Sequence, residues 1–169
     1  MIFRTVILML SLAVLLSVAP RSDAPRAATL GGDAFAEGLQ AYDGGMYTEA
    51  REHWHTAAMA GHVDAMTSLA DLMMRGQGGR LDRASAVVWY RRAARSGDAT
   101  ASLALGEVAL GSPDDQIHDT MAAFVWFSIS ARQGNTWAKE RAVLLRRTLS
   151  GSEHAMADRI INENTLPKF

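Results

Sequence analysis

The sequence has 169 residues, of which 49% are hydrophobic and 21% charged, and its formal net charge is −1. This length and composition fit one globular domain with enough apolar material for a core, and the charge excludes bulk attraction to nucleic acid. Cysteine is absent, which excludes a disulfide framework, thiolate metal ligands and a cysteine nucleophile.

The first 28 residues are predicted to hold an export signal and the start of a linker. Arg4 precedes an apolar stretch over residues 5–19, which is typical of a signal peptide and is shorter than the roughly 17–25 residues that a spanning helix needs. Each candidate cleavage site is followed by a proline: Ser17-x-Ala19 by Pro20, and Ser22-x-Ala24 by Pro25. We therefore expect a periplasmic or secreted protein, with an inner-membrane anchor over residues 5–19 as the alternative.

Three segments of the remaining chain align without gaps and start 36 and then 37 residues apart: residues 50–61, 86–97 and 123–134. Small and apolar residues recur at i, i+3, i+4, i+7 and i+8, which marks one face of an α-helix. Each segment ends in glycine, which is expected to terminate the helix in a left-handed conformation. A second amphipathic helix follows each glycine. One such pair cannot cover its own apolar face, so successive pairs are expected to stack.

In chain order, residues 20–32 are predicted to be a linker, because they are rich in Pro, Ala, Arg and Gly. About eight helices follow, near residues 33–43, 47–60, 62–75, 83–96, 98–110, 119–133, 135–149 and 152–163. The predicted fold class is all-α: an α-solenoid of antiparallel helix pairs over residues 33–163. Its repeats lie near 46–81, 82–118 and 119–150, and its capping helices over 33–43 and 152–163.

The two ends of this array differ from its centre. Ser150 and Glu153 have the spacing of a capping box at the start of the last helix. The helix predicted at 135–149 carries Ala142-Val143 and Arg146 where the pattern has Leu-Gly and an apolar residue. We therefore expect this helix to pack on the terminal cap and not on a further repeat.

The repeats resemble the Sel1-like repeats, which are tetratricopeptide-like α-solenoids. The central unit carries the resemblance most closely, through Gly76-Gln-Gly78, Asp82, Ala86, Trp89-Tyr-Arg-Arg-Ala-Ala94, Gly97, Ala101 and Leu105-Gly106. A signature that recurs at a fixed period is more specific than a single motif. The resemblance implies protein–protein interaction and no shared catalytic residue. Cysteine-rich relatives have been linked to β-lactams, but their disulfide-bonded repeats are absent here.

No residue pattern predicts a catalytic, cofactor or metal site. His53 and His55 point to different sides of one helix, so His53 is expected at the repeat seam and the other histidines in solvent. The acidic loop residues lack the glycine pattern of a calcium loop; they are Asp114, Asp115 and Asp119, with His118. The methionines that could bind Cu(I) are expected to fill the core; they are Met59, Met66, Met73 and Met74. The aromatic pairs are expected at the seams and not on a nucleic-acid stacking surface; they are Trp89-Tyr90 and Trp126-Phe127.

Two features predict a partner-binding surface. Residues 75–97 hold six arginines against one aspartate, whereas residues 98–120 hold five acidic residues and no lysine or arginine. Either the two segments neutralise each other as solvated faces, or Arg91, Arg92 and Arg95 steer an acidic partner. Trp137 occupies a position that is polar in the other repeats. It is either covered by the last helix or an exposed anchor for a partner.

The sequence thus predicts a non-enzymatic scaffold of the bacterial-type cell envelope that binds another protein or peptide on its solenoid surface. No cofactor and no nucleic acid are expected, and the membrane is a partner only through an uncleaved N-terminal segment. Two alternatives remain at this point: an envelope hydrolase active on peptidoglycan or β-lactams, which needs pKa-shifted carboxyl groups in a deep cleft, and a structural module that associates with itself through its apolar end.

Overall fold

The computed structural model describes residues 24–111 and 119–163, with side chains from residue 29 onward. The predicted signal or anchor segment and the loop residues Asp114, Asp115 and His118 lie outside that description. All secondary-structure elements of the described residues are α-helices, which confirms the predicted all-α solenoid. The eight helices are α1 (Ala24–Asp43), α2 (Tyr47–Met59), α3 (Val63–Arg75), α4 (Arg83–Arg95), α5 (Ala99–Leu110), α6 (Thr120–Arg132), α7 (Thr136–Arg146) and α8 (Gly151–Asn162).

The first helix is longer than predicted. α1 begins at Ala24, so the prediction of a linker through residue 32 is wrong for its second part. Pro25 stands in the first turn, where proline is tolerated. Gly31 is a contact site and not a linker residue, because a Cβ there would lie 3.2 Å from the Cβ of Ala60. The glycine lets α1 approach the end of α2.

Each helix packs against the next one along the chain from α1 to α7, as expected for stacked antiparallel pairs. The predicted seam aromatics are buried: Trp89 and Tyr90 of α4, and Trp126 and Phe127 of α6. The glycines that end the three aligned segments have positive φ angles, 94° at Gly61, 93° at Gly97 and 104° at Gly134. The internal period therefore corresponds to one helix pair.

Most of the helices begin with a side-chain cap. Asp82 accepts a hydrogen bond from the backbone N–H of Ser85 at 3.0 Å, and Asn135 accepts one from Ala138 at 3.0 Å. The predicted capping box at α8 is present, with Ser150 and Glu153 each bonded to the backbone N–H of the other. Such caps satisfy amide groups that the helix itself leaves without acceptors.

The last helix does not pack as predicted. α8 packs against α6, whereas α7 was expected to pack on this cap. The reason lies in α6, where residues 122–127, 129 and 130 are all buried. A helix that is buried all round needs neighbours on several sides, and α8 supplies one of them. α7 buries only Ala138 and Ala142.

None of the described helices combines the length and the apolar content that a membrane span requires.

Replacing Ala94 by leucine is expected to lower the free energy of unfolding by about 1–3 kcal/mol, because the larger side chain overpacks a helix contact. Ala94 is buried in α4, and its carbonyl accepts a hydrogen bond of 3.3 Å from the side-chain amide of Gln133. A thermal melt measures the loss. Val88 of the same helix is 51% exposed, so Val88→Leu is the matched control and is expected to change little. Equal melting temperatures for Ala94→Leu and the wild type would contradict the contact.

Candidate partner-binding surfaces

Three arginines lie on the face of α4 opposite its buried stripe. Arg92 and Arg95 are exposed, and Arg91 is half-buried. The guanidinium of Arg92 lies over the ring of Trp89, 4.7 Å from its centroid. This cation–π contact holds the side chain of Arg92 in place. Partial burial and the neighbouring charge of Arg95 lower the pKa of Arg91. We call this surface the α4 arginine face.

Three acidic residues that follow this face in sequence, Asp98, Glu107 and Asp119, are described by the structure, and each has a partner outside α4. Asp98 caps α5 by accepting from Thr100 and Ala101, and it accepts a hydrogen bond of 2.7 Å from the hydroxyl of Thr67. Glu107 pairs with Arg141 at 3.6 Å. Asp119 caps α6.

Within the described residues, Arg92 and Arg95 form no ion pair with a carboxylate. The guanidinium groups of Arg92 and Arg95 are therefore exposed without an ion pair in the described part of the chain.

The side chain of Trp137 lies at the surface, and its role as a partner anchor stays a prediction. This side chain is 52% exposed on α7, so the last helix does not cover it. Arg141, four residues further along the helix, places its guanidinium 4.4 Å from the centroid of the indole ring and also pairs with Glu107 of α5. Trp137 is therefore an exposed aromatic ring that is held on one side. The sequence analysis did not identify Arg141, although the i, i+4 spacing on a helix was the available signal.

The histidines follow the prediction only in part. His53 lies at the α1–α2 seam, as expected, where its Nδ1 is 3.1 Å from Glu37. His55 is exposed. His62 was expected in solvent, and this is wrong: its Nδ1 accepts from the N–H of Ala65 at 3.3 Å and its ring stacks on Phe35 at 4.3 Å. His62 caps α3 at the position that Asp98 and Asn135 hold in α5 and α7. Because its ring stacks on Phe35, α1 partly encloses it.

The methionines divide between core and surface. Met66 and Met73 are buried and fill the space between α3 and its neighbours, and Met74 packs against this core. Met59 was expected in the core but is 64% exposed, because it falls outside the buried stripe of α2. Among the described side chains, no group of three or more His, Asp or Glu residues is arranged to hold a metal ion.

A cavity of about 360 Å³, lined by both polar and apolar residues, lies between α3, α4 and α5. In its wall the Tyr90 hydroxyl donates to the Asp71 carboxylate, and burial together with this bond raises the pKa of Tyr90 above its usual range. The pKa values of Asp82 and Glu153 are lowered, but neither carboxyl group lines this cavity. Both lie at the starts of helices, where cap hydrogen bonds stabilise the charged form.

The sequence model of the Sel1 repeat matches three consecutive units of the chain, residues 30–62, 63–98 and 99–135. The chain belongs to the Sel1 repeat family. The matched units combine α1 with α2, α3 with α4, and α5 with α6. The sequence analysis instead divided the array in the connectors before α4 and α6. Sel1 repeats are generally protein–protein interaction modules, and proteins built from them are typically non-enzymatic.

Solved structures with the same fold support the architecture. A protective antigen of uropathogenic Escherichia coli strains that displays an SLR fold is 25% identical, with a TM-score of 0.63 over 84% of this chain. The chain spans 30% of that antigen. A Sel1 repeat protein from Oxalobacter formigenes is 26% identical, with a TM-score of 0.59 over 72% of this chain and 92% of that one. Among curated protein sequences, none matches this Sel1 repeat protein.

Proposed function

We propose that this Sel1 repeat protein is an exported scaffold of the cell envelope that binds another protein or peptide on its solenoid surface. The α4 arginine face, formed by Arg91, Arg92 and Arg95, steers an acidic segment of the partner, and Trp137 serves as an anchor. Exposed arginine and tryptophan side chains are enriched among residues that contribute most to binding at protein interfaces. Export rests on the signal-peptide pattern of residues 1–19.

One observation carries the proposal. Asp98, Glu107 and Asp119 are held by Thr67, Arg141 and helix caps, and within the described residues none of them forms an ion pair with Arg92 or Arg95. The α4 helix thus displays the positive charges of Arg92 and Arg95 in solvent. Such a surface raises the rate at which an oppositely charged partner docks and favours one orientation of it.

Capture from the cell envelope tests the proposal. Tagged full-length protein is purified from the envelope fraction of its source organism, and the captured proteins are quantified by mass spectrometry. We expect at least one acidic protein whose capture falls roughly tenfold or more when Arg92→Glu and Arg95→Glu are combined. Titration with the purified partner is expected to weaken between about 0.1 M and about 0.5 M salt, because the shorter Debye length screens the arginines.

The control reverses two exposed arginines away from this face, Arg80→Glu with Arg159→Glu, which changes the net charge by the same amount. Capture by this control is expected to match the wild type. A partner that both double variants bind equally, with an affinity unchanged by salt, would show that the α4 arginine face is not the docking surface. Recovery of the protein in the cytoplasm with residues 1–28 intact would contradict export.

A further inference from the structure

One stripe of residues on the second helix of each repeat is covered by the next helix, except in the last repeat. The stripe of α3 consists of Met66, Ala70 and Met73, and that of α5 of Ser102, Gly106 and Ala109; all six are buried. At the equivalent positions of α7 stand Lys139, Val143 and Arg146, and all three are exposed. We call these three residues the α7 stripe.

The difference follows from which helix packs where. α3 packs against α4, and α5 packs against α6. The second contact is so close that a Cβ on Gly106 would lie 2.6 Å from the ring of Phe127. After α7 the chain continues into α8, which packs against α6. In the described part of the chain, no helix takes the place on α7 that a following helix would occupy.

The open place is a groove of about 210 Å³ between α6 and α7. Its floor includes the apolar side chains of Phe124, Ala131 and Val143, and Val143 is 52% exposed. Cationic side chains stand at its rim: Lys139, Arg146 and Arg132. Arg132 is fixed there because its Nη1 donates a 2.9 Å hydrogen bond to the carbonyl of Ile161 in α8. An apolar floor with a positive rim matches a helix that carries apolar and acidic residues on one face.

A second copy of the chain fits this groove poorly. Two grooves placed face to face would bring Lys139 and Arg146 of both copies together, and like charges oppose such docking. On the outward face of α1, at the other end of the array, the polar residues Thr29, Asp33, Gln40 and Asp43 are exposed, and the exposed Leu30 and Leu39 flank them. Polar outer faces are typical of capping helices that keep solenoids from stacking end to end.

We propose that the groove beside the α7 stripe is a docking site for an acidic amphipathic helix of another protein, which takes the position of the missing next helix. The inference adds a second surface to the proposed function and does not use the α4 arginine face. It requires that both the apolar Val143 and the charges of Lys139 and Arg146 contribute to binding.

A single fluorescent label tests the proposal, since the chain has no cysteine of its own. Leu144, which is 60% exposed and lies beside the α7 stripe, is replaced by cysteine. Met59, which is 64% exposed on α2, is replaced by cysteine in a second variant as the matched remote site. Each cysteine carries an environment-sensitive dye. The probes are two lactam-bridged helical peptides of about 15 residues with the same leucine pattern, one flanked by glutamates and the other by lysines.

We expect a saturable response at position 144 to the glutamate peptide, with an affinity about tenfold above that for the lysine peptide. Combining Lys139→Glu with Arg146→Glu is expected to reverse this preference, and Val143→Asp to weaken binding of the glutamate peptide. The Arg92→Glu and Arg95→Glu variant is expected to bind the glutamate peptide like the wild type. The groove is thereby tested separately from the proposed function.

Three results would overturn the proposal. The first is equal affinity for both peptides, or an equal response from the dye at position 59. The second is a dimer, detected by light scattering before peptide is added, in which the dye at position 144 is shielded. The third is a dye already shielded in the monomer that becomes exposed when residues 164–169 are removed, which would make those residues the occupant.

Discussion

Replacing Phe127 by alanine is expected to lower the free energy of unfolding by about 3–5 kcal/mol, the range for removing a large buried aromatic side chain. Phe127 is fully buried in α6 and its ring fills the space opened by Gly106 of α5. The loss therefore affects the contact between the second and third repeats as well as the core of the third. Chemical denaturation followed by circular dichroism measures it, since the midpoint shifts with stability.

Trp137→Ala is the matched control, because it removes a larger aromatic ring that is 52% exposed. It is expected to cost much less than Phe127→Ala, as substitutions at the surface usually do. A second check uses Gly106→Ala, whose methyl group would lie 2.6 Å from the Phe127 ring. Combined with Phe127→Leu, it is expected to cost less than the sum of the two single changes. Additive losses would show that the two residues do not share a contact.

Replacing Gly78 by alanine is expected to destabilise the first repeat by more than about 2 kcal/mol. Gly78 has a φ of 68°, and an alanine in the left-handed region costs about 1–2 kcal/mol. The added Cβ would also meet the backbone carbonyl of Tyr47 and lie 2.9 Å from the backbone nitrogen of Thr48. Main-chain atoms at the start of α2 cannot move aside as a flexible side chain can, so this collision adds to the conformational cost.

Gly45 provides the control for that collision. Its φ is 75°, close to that of Gly78, but a Cβ there would meet no atom within 4 Å. Gly45→Ala is therefore expected to lower the free energy of unfolding only by the conformational cost of the left-handed alanine, about 1–2 kcal/mol. The difference between the two melting curves isolates the contact between the connector after α3 and the start of α2. Equal losses would mean that α2 shifts to accept the methyl group.

Much of the candidate site could be predicted from local sequence, and its accessibility could not. The positive charge of residues 75–97 is visible in the sequence, and helical periodicity places Arg91, Arg92 and Arg95 away from the buried stripe of α4. The state of their acidic neighbours depends on contacts between repeats. Glu107 of α5 pairs with Arg141 of α7, and Asp98 at the start of α5 accepts a hydrogen bond from Thr67 of α3. Such pairs join residues about one repeat apart.

Trp137 illustrates the same limit. Its sequence position in the repeat is clear, but covered and exposed interpretations both fit the pattern. Exposure depends on the path of α8, which packs on α6 because that helix presents apolar residues on every side. The groove beside the α7 stripe has the same origin, and no single segment of sequence encodes it.

The sequence by itself determined the helical repeat, its period, the buried aromatic seams and the capping box at Ser150. These features are set by side-chain spacing and turn chemistry within one helix and its flanking residues. Only the tertiary structure decided that α1 starts at Ala24 with Gly31 against α2, that His62 is partly enclosed, and that the residues of the α7 stripe are exposed. Each of these depends on which distant helix covers a given face, and that choice follows from packing the whole array.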